Sequence, residues 1–365
     1  MTAGPPFRAE HVGSLLRPAE LHRTRAQARA GALSAGDLRV LEDRLIERAV
    51  AKQEAIGLHV VTDGEYRRDF WHLDFLRQLE GVGLAPIAGV KFHAEDVPPM
   101  PTVTGRVRCA GPIMAEDFQF LRIGGDGRAQ ADDPGAGHAA PPRRAERDLR
   151  EHYPDLAVFW DDVAGRVPRG DRAHRRRRVH LSAARRRELL LPLRSHRARR
   201  PAARAATTPP HCPAPTRRRS TRRFAGRPAG MTVTMHTCRG NFRSTWLASG
   251  GYEDAVVEAM FSTDVDAYFM EWDSERAGGF EPLRLLPRGK TVVLGLVTTK
   301  SGALEPRTAL ARRIDEAARH VPLDRLCLSP QCGFASTHHG NTLTEDEQWR
   351  KLERVVEVAR EVWGA

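Results

Sequence analysis

No run in this 365-residue sequence approaches the ~18 consecutive apolar residues of a membrane span, and the opening Met1 to Pro18 lacks the apolar core of a signal peptide. These two absences argue against a membrane or secreted protein and make a reducing cytoplasm the expected location. Cysteine is sparse and odd in number: Cys109, Cys212, Cys238, Cys327 and Cys332. A disulfide framework is therefore not expected. No G-x-G-x-x-G turn is present, which argues against a dinucleotide-binding sheet. Lysine is also scarce, with Lys52, Lys91, Lys290, Lys300 and Lys351 alone among 58 basic residues.

What the chain does contain is arginine, unevenly placed. The net charge of +12 would ordinarily point to nucleic acid. Between Val163 and Gly230, however, lie 21 Arg and only two acids, Asp171 and Glu188, a local net of +19. The remainder carries 12 − 19 = −7 and is mildly acidic. Within 172–223 no aromatic residue is interleaved to stack on bases. Neither a nucleic-acid nor a membrane partner is expected.

Outside that segment the chain alternates strands and helices. Leu38, Leu41, Leu45, Ile46 and Val50 recur at helical spacing, Gly57 stops the helix, and "HVVTDGE" reads as a short buried strand. In the C-terminal third, "MTVTMHTC", "DAYFMEW", "TVVLGLVTTK" and "RLCLSPQCG" read as strands, with helices between them and after the last. Continuous apolar strands alternating with helices indicate a parallel sheet covered on its faces. At this length the expected fold is α/β, a single (β/α)8 TIM barrel over 1–365, with the active site at the carboxyl ends of the strands. An open doubly wound sheet is the alternative.

Those strand ends carry the chemistry. His236 and Cys238 lie two apart, so both side chains share a face. Glu271 ends the next strand, and Cys332 follows the last one. One nitrogen, one oxygen and two sulfurs suit tetrahedral Zn²⁺. Cysteine is often only a small buried hydrophobe, the reading given to Cys327. The coincidence of position favours the metal for the other four.

The motifs "HVGSLLRP", "VTDGEYRRDFW", "MHTCRGNF", "FMEWDSERAGGFEPLR", "VVLGLVTTK", "RLCLSPQCGFAS" and the pair Gly340–Asn341 resemble the cobalamin-independent methionine synthase family. The likeness is to its single-barrel relatives, and covers about 1–126, 151–165 and 226–365. It implies a zinc-dependent barrel that moves a methyl group from a methyltetrahydrofolate to the sulfur of homocysteine. It implies His236, Cys238, Glu271 and Cys332 as the metal ligands. It implies Gly13, Ser14 and Glu65, with His11, as residues that hold the amino-acid end of the substrate. Where longer members carry a histidine that protonates the departing folate nitrogen, this chain has Lys300. A related zinc barrel that adds a thiol such as coenzyme M to an epoxide is the alternative activity.

The middle of the chain departs from the family. Relatives carry a segment like K-x-T-I-P-S-P-x-M-L-H-x-R-G-G-R and, later, a strand like L-Q-L-D-D-x-N, and neither is visible here. Permitted codons for Gln130 to Asp148, read one base later, give K-L-T-I-P-G-P-G-M-L-H-L-R-G-G-R-S-A-I. Those for the stretch beginning at Arg185 give D-D-V-N-F-S-Y-L-C-D. Stretches 127–150 and 166–225 thus read as out-of-frame and are expected to be disordered. The second should have held a barrel strand and an Asp for the substrate ammonium, a role that the cations Arg185, Arg186 and Arg187 cannot fill.

Overall fold

The structure, a computed structural model, describes residues 6–85, 99–123, 128–132, 146–155, 158–159, 161–163, 180–182, 227, 230–241, 243–246 and 249–364. Two parallel sheets form its frame. Val60–Val61 (β1), Arg128–Asp132 (β4) and His180–Ser182 (β5) make one, in the order β1-β4-β5. Thr234–Thr237 (β6), Ala267–Glu271 (β7), Thr291–Val297 (β8) and Leu326–Pro330 (β9) make the other, in sequential order. β5 lies beside β6. The extended N-terminal segment closes the ring: Ala9 bridges Leu328 in parallel, and the Leu15 N–H donates to Gly64 O at 3.1 Å. Seven strands and this eighth segment give the expected barrel. A separate antiparallel ribbon, Glu80–Ala85 (β2) with Met100–Arg108 (β3), stands beside it over its own small core around Phe75, Val103, Tyr153 and Phe159.

Helices cover the barrel where the periodicity predicts. The helix Ala35–Ala55 is capped by Ser34, whose Oγ accepts the Asp37 N–H at 3.1 Å. Its buried face is Leu41, Leu45, Ile46, Ala49 and Val50, and Gly57 follows in the left-handed region at φ 95°. Glu345–Trp363 begins with a capping box between Thr344 and Glu347 and buries Leu352, Val355, Val356 and Val358 against β9. No helix among the described residues is long and apolar enough to cross a membrane.

Strands β7, β8 and β9 are buried almost end to end, as a barrel wall requires. Val12, Phe269, Val293 and Cys327 form one interior layer, which agrees with the reading of Cys327 as a core residue. Of the two anomalous stretches, the structure places β4 and the start of the helix Glu146–His152 within 127–150, and β5 within 166–225. Their other residues, including Arg185, Arg186 and Arg187, lie outside the described residues.

Candidate metal centre

Four ligand-type side chains converge where β6, β7 and β9 end. His236 lies on β6, Cys238 one residue past its end, Glu271 at the last position of β7, and Cys332 two residues past β9. Their ligand atoms all lie within 4.8 Å of one another. Cys238 Sγ and Cys332 Sγ are 3.7 Å apart, and His236 Nε2 is 3.6 Å from Glu271 Oε1. A tetrahedron with Zn–S bonds of ~2.3 Å has an S···S edge of ~3.8 Å, so the spacing and the donor set both fit Zn²⁺. The strand ends are not three neighbours in the sheet. β8 lies between β7 and β9 and contributes Thr298, Thr299 and Lys300 instead.

Hydrogen bonds fix the ligands. The Arg239 N–H donates to Glu271 Oε1 at 3.1 Å, the Gly240 N–H to Cys238 Sγ at 3.3 Å, and Arg276 Nη2 to Glu271 Oε2 at 3.3 Å. Such outer partners orient the atoms that a metal needs. Burial pushes the Glu271 carboxyl up to about 8, helped by Cys238 and opposed by Lys300 and Arg276.

Lys300 is partly buried and its Nζ lies 2.6 Å from Asp273 Oδ2. Asp273 also accepts Thr298 Oγ1 at 2.9 Å and Arg276 Nη2 at 2.9 Å. Burial alone would raise the Asp273 carboxyl, but Lys300 and Arg276 hold it below the usual range. Asp273 was invisible to the sequence reading; its signal was its place two residues after Glu271. Asn241 was missed as well. Its Nδ2 donates to Gly333 O at 2.8 Å and to Thr299 Oγ1 at 3.3 Å, tying the loops after β6, β8 and β9 together.

The N-terminal segment meets this centre beside Cys332. A Cβ on Gly333 would sit 2.4 Å from Ser14 N and 2.9 Å from Ser14 Oγ, so only glycine permits the approach. The Phe334 N–H donates to Ser14 O at 2.6 Å. Ser14 Oγ is buried and has no hydrogen-bond partner among the described residues. Gly13 precedes it at φ 81°, and His11 Nε2 lies 3.2 Å from Thr62 Oγ1. Glu65 occupies the turn after β1, buried, at φ 57°, with Arg68 Nη1 3.3 Å from its Oε1.

Residues 225–361 match the model of the cobalamin-independent synthase catalytic domain. The chain is 43% identical to the uncharacterized protein YxjG of Bacillus subtilis, over 98% of this chain and 95% of that protein. Among solved structures it is similar to the putative vitamin-B12 independent methionine synthase of Listeria monocytogenes, with TM-score 0.73, 29% identity and 99% of each chain covered. It also shares the fold of a B12-independent methionine synthase from Shewanella sp. W3-18-1, with TM-score 0.69, 17% identity and 97% of each chain covered. Motifs, barrel and full-length likeness agree, and the chain belongs to the cobalamin-independent methionine synthase family.

Proposed function

We propose that this methionine-synthase-like methyltransferase is zinc-dependent and moves a methyl group from a methyltetrahydrofolate-type donor to the thiol of homocysteine. The convergence of His236, Cys238, Glu271 and Cys332 within 4.8 Å, next to Ser14, carries this reading. A thiol with a pKa near ~8.5 is mostly protonated at neutral pH, and the thiolate is the nucleophile. When bound to these four residues, Zn²⁺ would favour deprotonation of the substrate thiol.

The chain's own residues do the rest. The backbone at Gly13 and the Ser14 hydroxyl face the amino-acid end of the substrate, with His11 alongside. The Glu65 carboxylate, in its turn between the N-terminal segment and β1, serves the substrate ammonium. The substrate sulfur attacks the methyl carbon, the carbon–nitrogen bond breaks, and its electron pair passes to the donor nitrogen. Lys300 Nζ, held by Asp273, supplies the proton to that nitrogen.

The frame-shift reading of 127–150 and 166–225 bears on the rate. It removes the family's strand-borne Asp from this chain, so turnover should be weak. Resequencing the gene tests it: an error-free in-frame reading, with the same Arg-rich peptide in relatives, overturns the frame shift. For the activity itself, the purified chain is assayed with homocysteine plus a methylfolate, and separately with a thiol plus an epoxide. Methionine formation supports the reading, and thioether formation from the epoxide overturns it.

A further inference from the structure

One buried arginine outside the metal centre joins the two loops that flank it. Arg17 closes the "HVGSLLR" motif and is 5% exposed. Its guanidinium donates to four backbone carbonyls: Nε to Arg68 O at 3.0 Å, Nη2 to Glu65 O at 3.1 Å, and Nη1 to Ala335 O at 3.0 Å and Thr337 O at 3.2 Å. The first two belong to the turn after β1 that presents Glu65. The other two belong to the loop that leaves Cys332. The same side chain thus registers the turn that carries Glu65 against the loop that leaves Cys332.

Glu65 needs holding. At φ 57° it sits in the left-handed region, where a Cβ crowds the following carbonyl oxygen. Asp63 Oδ1 accepts its N–H at 2.9 Å, and Arg17 holds its carbonyl. Arg25, from the helix Ala19–Arg29, adds bonds to Tyr66 O and to Arg68 O, the latter at 3.2 Å, and pairs with Glu42 at 2.8 Å. Arg25 steadies the turn locally, whereas Arg17 ties it to the loop of Ala335 and Thr337. Lysine could not reproduce this, because it lacks the planar fork that reaches several carbonyls at once.

We propose that Arg17 is a positioning residue: through the Glu65 turn it sets the pocket's preference for α-amino acids over the same ligands without the amino group. This rests on the assignment of Glu65 to the substrate ammonium. The test is calorimetry on the zinc-loaded full chain with two probes, L-methionine and 4-(methylthio)butanoate. The unmodified chain should bind L-methionine the more tightly. Arg17→Lys should weaken L-methionine by about tenfold, the effect of one well-placed charged hydrogen bond. Binding of 4-(methylthio)butanoate and zinc content should stay unchanged. In the Arg17→Lys/Glu65→Gln double variant the loss should equal that of Glu65→Gln alone.

Equal weakening of both probes by Arg17→Lys, or additive losses in the double variant, overturns the proposal. Absence of any preference in the unmodified chain overturns it too. A preference that survives in Glu65→Gln alone defeats the Glu65 assignment itself, which separates that failure from failure of Arg17. If Arg17→Lys does not fold, Asp63→Ala loosens the same turn from a less buried position. It must then weaken L-methionine selectively, and an unchanged preference overturns the coupling.

Discussion

The two halves of the barrel hold their candidate functional residues by different means. From β6 to β9 the work is done by the sheet: four parallel strands pair in sequence, and the candidate ligands emerge at the carboxyl ends of β6, β7 and β9. In the N-terminal half, β1 is two residues long and the segment at Ala9 makes a single bridge. There, buried side chains replace the ladder. Gln53 brackets Thr62, accepting its N–H at 2.9 Å and donating to its carbonyl at 2.9 Å. Gln348 Oε1 accepts the Leu16 N–H at 2.6 Å, and Arg17 gathers four carbonyls. A ladder fixes position through many equivalent bonds. A clamp does it through one side chain, and is more sensitive to a single substitution.

Substitutions can break or sharpen that contrast. The largest effect should come from the ladder-borne ligands. Cys332→Ala or His236→Ala should abolish bound zinc and lower turnover by far more than about a hundredfold, the range for outer partners. Zinc measured by atomic absorption decides it, and equal metal in all three proteins defeats the site. Asp273→Asn should leave zinc in place while kcat falls about ten- to a hundredfold, because Lys300 loses its anchor. An unchanged kcat would show that the Asp273–Lys300 pair is only structural.

Gly333→Ala probes the contact between the two halves. Its Cβ cannot coexist with Ser14 N, so overpacking should cost about 1–3 kcal/mol by urea denaturation, together with a higher KM for the thiol. Full stability would mean that the halves separate at no cost. The smallest effect concerns Glu10, buried in the N-terminal segment, where its carboxyl accepts the Phe7 N–H at 2.6 Å. Burial pushes this carboxyl up to about 8, so the folded chain favours the neutral form. The unfolded chain ionises near ~4.5, and this contribution to stability is therefore complete below that pH and lost as pH rises through 8. Glu10→Gln should flatten the fall in the urea midpoint between about pH 5 and pH 8, and an identical pH dependence in both proteins would contradict it.

The difference between the halves also sets what could be read in advance. His236 and Cys238 were legible because a strand has a period of two, and Glu271 and Cys332 because each stood at the end of an apolar run. Lys300 was found by likeness, but its partner Asp273 was not, since the two lie in the loops that follow β7 and β8, and only the pairing of those strands brings the loops together. Asn241 was missed for the same reason: its partners Thr299 and Gly333 are distant in the chain.

By itself the sequence determined the alternation of strands and helices, the donor set of the candidate metal centre and the helix stop at Gly57. Each of these follows from local stereochemistry or residue type. Only the tertiary structure decided that β8 separates β7 from β9, that Ser14 abuts Gly333, and that Arg17 reaches across from Glu65 to Thr337. These depend on barrel closure, which brings the first residues against the last strand. A buried polar side chain finds its partners only once that closure has fixed which carbonyls lie within its reach.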